Sequence, residues 1–432
     1  MVVGARCAGS PLAAMLARRG LSVCVLDKAQ FPSETPSTHV IQPCGVQILD
    51  QLGVLEQLLA AGTAPLDRFT MVNDDVRLET TRDGSLGHPA LCVRRVTLDA
   101  QLVAAASAAG AQVRTGSRVT GLLTERDRVT GVRTDQGAIR ARLVVGADGR
   151  HSTVAAAVGA PEYHVSPPGR LAAWGYYEGV ADRDGHLRFG RVGETGFLAG
   201  PTDGDLYMVA VAPDLTRQPE FDADRVRYFT AALRIWPELA DVVGGGQRVG
   251  PIRVVSKWHG YFRRSAGPGW VLVGDAGHFK DFTPGQGISD ALRQAEQLAY
   301  TIENALDALD FDAAMQSWWR WRDEDAYEMY WFASLMGRPG AASPLTNRLL
   351  REVSTDAEAT GSFLRVLNHD LRPSQLFTPA LLARATAGTV RDEPGRIVAT
   401  LKEALASTKE NVRQARHKRR RPPGMTKTAW RG

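Results

Sequence analysis

The sequence predicts an α/β protein: a Rossmann-like domain with a β-meander, an inserted antiparallel sheet and a helical C-terminal extension. Three observations carry this. The chain opens on an apolar strand, a glycine turn, a helix and a second apolar strand that ends in an acid. A strand apolar at every position, Leu143-Val144-Val145, runs into Gly146-Ala147-Asp148-Gly149. Another, Trp270-Val271-Leu272-Val273, runs into Gly274-Asp275. Strands apolar on both faces belong to buried parallel sheets, and a glycine directly after them marks a tight turn onto a helix.

In order along the chain, Met1-Val2-Val3 is the first strand and Gly4 permits the turn out of it. Leu12, Met15 and Leu16 share one helical face, Arg18-Arg19 suit a last turn, and Gly20 suits the C′ position. Leu21 to Leu26 reads as a buried strand, with Cys24 a small core hydrophobe, and Asp27-Lys28 follow. This is the order of a dinucleotide-binding βαβ unit. The helix N-terminus offers free N–H groups and a positive dipole end to a pyrophosphate. Gly9 lets helix and sheet approach closely, and Asp27 can accept hydrogen bonds from a ribose diol. Candidate cofactor contacts here are Gly4, Arg6, Ala8, Gly9, Asp27 and Lys28. Arg6 stands where G-x-G-x-x-G has its middle glycine. The first strand is short against the usual ~5–6 residues, so a few residues are expected ahead of Met1.

Arg95-x-x-Leu98-Asp99 opens a helix ending near Gly110. Three period-2 segments, 118–123, 128–134 and 138–145, form the meander. From about Glu162 to Phe262 aromatics gather between Gly and Asp turns, which reads as the inserted sheet, with a helix over 225–239. A long helix follows Gly287, and a second carries Trp318, Trp319, Trp321, Tyr327, Tyr330 and Trp331, whose spacing suits helix packing. The expected organisation is a nucleotide-binding domain in three parts (1–75, 91–161 and 263–335). Interleaved are a substrate-domain hairpin (76–90) and the substrate domain (162–262). A helical region (336–410) and a basic, disordered tail (411–432) complete it.

The 432 residues are 44% hydrophobic and 23% charged, which excludes a disordered chain, a collagen-like chain and a small disulfide scaffold. No apolar run suits a membrane span and no signal peptide is evident. The formal net charge is +5, yet the tail alone holds Arg413, Arg416, Lys418, Arg419, Arg420, Arg421, Lys427 and Arg431 with no acid. Without those eight cations the body is mildly acidic. The run could touch anionic lipid or nucleic acid, the blander reading being a solvated end with no nucleic-acid partner. Four scattered cysteines suit a reducing, cytoplasmic location and argue against structural zinc, so no metal is expected.

Three motifs thus stand in order: the glycine turn with Asp27, Gly146-Ala147-Asp148-Gly149, and Gly274-Asp275-Ala276 with Gly285-Gln286-Gly287. Over roughly residues 1–335 the chain resembles the single-component FAD-dependent monooxygenases, the aromatic-hydroxylase-like group of the glutathione-reductase-type flavoproteins. Phe31-Pro32-Ser33, Ser37-Thr38-His39 and Gly287-Ile288-Ser289-Asp290-Ala291-Leu292 look like a bacterial branch of that group. The resemblance implies that Asp148 and Gly149 contact FAD and that Asp275, after Gly274, hydrogen-bonds the ribityl chain. It places Gly285, Gln286 and Gly287 at the pyrimidine edge of the flavin, and Arg95 and His39 near the cofactor. It implies NAD(P)H as a transient reductant, reaction of reduced flavin with molecular oxygen to a C4a-hydroperoxide, and hydroxylation or epoxidation of a small organic substrate, aromatic or polyketide-like. The chain departs from the family at Phe282, Pro284 and Ser289, and the first two put the oxygen-reacting pocket in question more than FAD binding.

No catalytic residue is assigned; His278 and His259 are the weak candidates, the latter beside Trp258 and facing the substrate region. Phe189 and Tyr176 either face substrate or fill the sheet. A halogenase needs Trp-x-Trp-x-Ile-Pro, whereas Trp319-Arg320-Trp321 continues into Arg322-Asp323. The rival readings are a flavin reductase of unsaturated, prenyl-like chains and a non-catalytic ligand-binding protein on the same scaffold. The oligomeric state is left open.

Overall fold

The computed structural model describes residues 1–82, 84, 86–306, 310–418 and 420–426. At its centre is a six-stranded sheet in the order Ala266–Gly267, Trp270–Leu272, Val144–Gly146, Val2–Val3, Cys24–Leu26, Gln112–Arg114. All neighbours run parallel except the Ala266–Gly267 edge. Val2 pairs with both Val145 and Val25, and Val144 pairs with Trp270. The three apolar strands read from the sequence are therefore direct neighbours. On one face lie the helices Gly9–Arg18, Arg95–Ala108 and Gly287–Asn304, whose Leu12, Leu98, Leu102, Leu292 and Leu298 build the main core. On the other lies the meander Val119–Glu125, Arg128–Thr134, Gly137–Arg140, packed through Val119, Val129 and Val132. Cys24 is only half-buried, against this second face. The segment expected as one strand over 138–145 is two, because the chain crosses between layers at 141–143.

The inserted sheet has seven strands: Gln247–Val255, Ala172–Glu178, Tyr207–Ala212, Thr195–Pro201, His186–Val192, Arg68–Asn73, Val76–Thr81. It is antiparallel except where His186–Val192 runs parallel to Arg68–Asn73, so the purely antiparallel expectation is corrected. The hairpin spans 68–81, not 76–90. Arg68–Asn73 is buried at every position after Arg68 and shows no alternation, so its sequence hid it. The helix expected over 225–239 is two, Arg225–Leu233 and Pro237–Gly244; Pro237 holds Trp236 extended and starts the second. Strands Glu162–Ser166 and Gly260–Arg263 do not join this sheet; Gly260–Arg263 pairs with Glu162–Ser166 on one side and with His278–Phe279 on the other.

One face of the seven-stranded sheet packs on the three short helices between Gln218 and Gly244. The other, with Trp174, Tyr176 and Met208, meets the C-terminal helices Pro344–Ser354 and Ala357–Leu367 through Val353, Phe363 and Leu367. The tail expected to be disordered is ordered in its first part. The helix Ile397–Lys418 extends into it, the Tyr327 hydroxyl donates to the Gln414 carbonyl, and Met425 is buried in the main core. Arg419, Lys427 and Arg431 lie outside the described residues.

The tightest constraint is at the first turn. A Cβ on Gly9, which has ordinary helical backbone, would lie 1.8 Å from the Gly4 carbonyl oxygen, whereas one on Gly20, at positive φ, would meet nothing within 4 Å. Gly9→Ala is therefore expected to cost about 3 kcal/mol or more, and Gly20→Ala only the left-handed backbone penalty of about 1 kcal/mol. Chemical denaturation of both variants checks this; equal losses would contradict it.

Candidate functional site

The three glycine motifs follow neighbouring parallel strands and meet at the carboxyl edge of the sheet, where open α/β sheets bind ligands. A Cβ on Gly4 would approach the Ala147 carbonyl oxygen to 2.3 Å, and one on Gly274 would approach the Ala8 Cβ to 3.0 Å. Gly4, with φ +102, thus has a conformation and a neighbour that only glycine tolerates. Asp27 ties the first turn to the second strand: one carboxylate oxygen accepts Ala5 N–H (2.8 Å) and the other accepts Ala29 N–H (2.8 Å). Lys28 is exposed.

Beside this turn two cations share one carboxylate. Arg6 donates to Asp99 (2.6 Å) and to the Ser33 hydroxyl, and its guanidinium covers the Phe31 ring. Arg95 donates both Nε and Nη2 to Asp99 (3.0 and 2.8 Å). Asp99 is fully buried, and its charge outweighs the burial that would otherwise discharge Arg95, leaving that guanidinium more firmly protonated than usual. This trio therefore carries an excess of one positive charge next to a helix N-terminus, that of Gly9–Arg18, which no side chain caps. The sequence pointed to both arginines but not to Asp99, four residues from Arg95 on the same helix.

The other motif residues divide. The Asp148 carboxylate is turned inward, accepting from the Ser152 hydroxyl (2.5 Å), Thr153 N–H (2.6 Å) and Val154 N–H (3.3 Å), so it caps the helix Thr153–Ala157. Gly149, at φ +76, faces open space. Asp275 has no hydrogen-bond partner for its carboxylate among the described residues. Enclosure by protein raises its pKa to about 6, with Arg150 and Arg95 only partly offsetting the desolvation.

The turn Pro284–Gly287 leads into the helix Gly287–Asn304. Its N-cap residue, Gln286, makes no capping bond; its side chain donates to the Leu367 carbonyl (2.7 Å) and its Oε1 is buried without a partner. Gly287 is exposed, with nothing within 4 Å of an added Cβ. Gln42 clamps this turn: its N–H donates to the Ser289 hydroxyl (2.8 Å) and its side-chain amide reaches the Pro284 and Gly285 carbonyls. The serine that departs from the family pattern thus has a packing partner.

His39, at φ +68, is buried, and its Nε2 lies 2.7 Å from the Tyr176 hydroxyl. Burial holds its pKa down to about 3, and burial raises that of Tyr176 to about 12, so both are neutral in the physiological range. Tyr176 and Trp174 both pack edge-on against the His39 ring, at the junction of the sheet and the nucleotide-binding domain. The two weak catalytic candidates lie elsewhere. His278 is enclosed by Phe262 and Tyr330, ring centroids 4.5 and 5.8 Å away, and burial holds it neutral. His259 does not face the large sheet; it is exposed and paired with Glu162 (2.9 Å). Trp318 and Trp319 fill the main core, as their spacing suggested.

A buried charge cluster at the start of the helix Gly287–Asn304 escaped the sequence. Asp290 is paired with Lys280 Nζ (2.7 Å) and with His369 Nε2 (2.9 Å), the latter from the C-terminal region. Burial opposes its ionisation, yet Lys280 and His369 outweigh that and hold the carboxyl far below its usual range. Next to it the Asn368 carboxamide oxygen accepts Cys44 N–H (2.7 Å). The one available signal was Lys280, a lone cation inside an apolar, glycine-rich stretch; nothing marked His369.

Residues 1–309 match the family model described as "FAD binding domain". Over 313 residues the chain is 29% identical to the 6-methylpretetramide 4-monooxygenase of Streptomyces rimosus, covering 68% of this chain and 72% of that protein. Over 328 residues it is 28% identical to a rifampicin monooxygenase of Streptomyces venezuelae, covering 71% of this chain and 64% of that protein. The solved structure of the flavin-dependent brominase Bmp2 superposes with a TM-score of 0.74 at 19% identity, over 90% of this chain and 98% of that one, a likeness of fold.

Two carboxylates give opposite pH behaviour. Asp275 has a raised pKa, so the penalty for its charge is absent below about pH 4 and complete above about pH 6. Asp275→Asn is expected to stabilise the cofactor-free protein by about 2 kcal/mol at pH 7.5, with the difference fading toward pH 4. Asp290 has a depressed pKa, so its contribution is present above the unfolded value near 4 and is lost as pH falls. Lys280→Met strands its charge and is expected to cost about 3 kcal/mol at pH 7.5. Urea melts at both pH values measure both effects; a pH-independent Asp275→Asn difference would contradict the first.

Proposed function

We propose that this chain, which belongs to the FAD binding domain family, is an FAD-dependent monooxygenase that uses NAD(P)H and molecular oxygen to oxygenate a small organic substrate. Its residues fit the cofactor on their own chemistry. Two helix N-termini without side-chain caps, an unpartnered carboxylate at Asp275, and open space over Gly149 and Gly287 lie around one sheet edge. The observation that carries the reading is Asp275, a half-buried carboxylate that no described residue hydrogen-bonds and that ribityl hydroxyls would satisfy.

In this assignment Arg6 and Arg95 hold the pyrophosphate beside the N-terminus of the helix Gly9–Arg18. They are kept rigid by Asp99, so little ordering is needed on binding. Asp275 receives the ribityl chain. The free N–H groups at Gln286 and Gly287, with the positive helix end behind them, meet the pyrimidine edge, where negative charge builds on reduction. Gln42 and the Lys280–Asp290–His369 cluster keep that helix start in register. When bound, the flavin supplies the electron transfer and oxygen activation. The protein's part is to exclude water and present the substrate.

We assign the substrate region to the junction where His39, Trp174 and Tyr176 meet, beside Val40, which the Gly285 turn approaches, and under the C-terminal helices; Phe282 itself packs on Trp258. Its aromatic walls support a bulky substrate with an aromatic portion, the type we infer; monooxygenase activity in the names of two relatives supports the reaction class. His39 and Tyr176, being neutral, orient the substrate by hydrogen bonding rather than by charge.

Turnover with NAD(P)H and candidate aromatic substrates under isotopically labelled oxygen tests this. The expected product carries one atom from O2. Saturation of a double bond with no oxygen consumed would assign the protein to the reductases instead. His39→Ala is expected to lower kcat/KM about tenfold or more with FAD retained.

A further inference from the structure

The helix Ile397–Lys418 is packed with its apolar side outward. The inward side is polar: Thr400 is buried, Glu403 accepts a hydrogen bond from the Ser343 hydroxyl, the Gln414 carbonyl accepts from Tyr327, and Lys418 pairs with Glu328. The outward side carries Val398, Leu401, Leu405 and Val412, respectively 66%, 52%, 54% and 47% exposed. Their spacing keeps them in one stripe along the helix. Lys402, Lys409, Arg413 and Arg416 run beside it on the same side. Where the two bands meet, Lys409, Val412, Arg416 and Arg420 line a surface cavity of about 430 Å³. Among the described residues Lys409, Arg416 and Arg420 have no ion-pair partner, and Arg413 has Glu410.

A soluble helix normally turns this face to the core. We propose that the helix Ile397–Lys418 is a peripheral docking element for an anionic phospholipid surface. The stripe enters the headgroup boundary, the flanking cations meet the anionic leaflet, and the cavity takes a headgroup phosphate. The charge pattern selects this occupant. A second copy laid across the stripe would set Lys402, Lys409 and Arg416 against their own counterparts. Four side chains on one helix also fall short of the roughly 1,000 Å² a stable protein interface needs. Nucleic acid would use the cations and leave the stripe in water. No described helix is long and apolar enough to cross a membrane, so the attachment lies on the surface. This inference stands apart from the oxidation chemistry.

Sedimentation of the holoprotein with vesicles tests it. One set is pure phosphatidylcholine, the other contains about one third phosphatidylglycerol. The expected bound fraction is about tenfold higher on the anionic vesicles and falls in high salt. Both Leu401→Asp with Leu405→Asp and Lys409→Glu with Arg416→Glu should abolish it, with an unchanged flavin spectrum as the control for folding. Equal binding to both vesicle types would overturn the proposal. So would vesicle binding that survives both double variants, a dimer in light scattering that Leu405→Asp dissolves without any vesicle binding, or retention only by duplex nucleic acid.

Discussion

The approach of the first helix to the first strand governs the molecule. The space between Gly9 and the Gly4 carbonyl leaves no room for a methyl group. With both glycines present, the helix Gly9–Arg18 sits low on the sheet, Ala5 N–H meets Asp27, and Ala8 meets Gly274. The strand Val2–Val3 is then flanked by Val144–Gly146 and Cys24–Leu26, so every other motif is brought to the same edge by register alone. A bulkier residue at either glycine would lift the helix and pull the cofactor edge apart.

Around that edge three aspartates, Asp99 and Asp290 buried and Asp275 half-buried, have different surroundings, and these set what each can do. Asp99 is shared by two arginines and serves to aim them. Asp290 is neutralised by Lys280 and also meets His369, whose own pKa burial lowers, so it ties the C-terminal region to the helix start. Asp275 alone of the three has no hydrogen-bond partner among the described residues, the kind of cost that folding tolerates at a ligand site. The C-terminal helices therefore reach the proposed site: Leu367, Asn368 and His369 contact Gln286, Cys44 and Asp290 at and beside the turn proposed to meet the flavin.

Much of this was legible from the chain because buried parallel strands have a signature of their own. Three runs apolar on both faces, each followed by glycine, located the sheet and the edge at which the glycine motifs meet. Where the signal failed, the reason is physical. Arg68–Asn73 is buried on both faces inside a mixed sheet, so neither alternation nor a glycine turn announced it. Pro237 broke a helix whose apolar period runs on through it. His369 and Asn368 act through contacts more than 300 residues apart for Cys44 and on the order of eighty for Asp290, a range at which local pattern carries no information. From the sequence the end of the chain reads as a basic tail, and the outward orientation of the last helix's apolar stripe belongs to the packing.

The account is tested most directly by the visible spectrum of the purified protein with quantification of the flavin released on denaturation. It predicts a yellow protein that releases one FAD per chain and, in the Asp275→Ala variant, a large loss of bound flavin with the fold retained. A colourless protein that takes up no added FAD, or an Asp275→Ala variant that keeps its flavin in full, would contradict it.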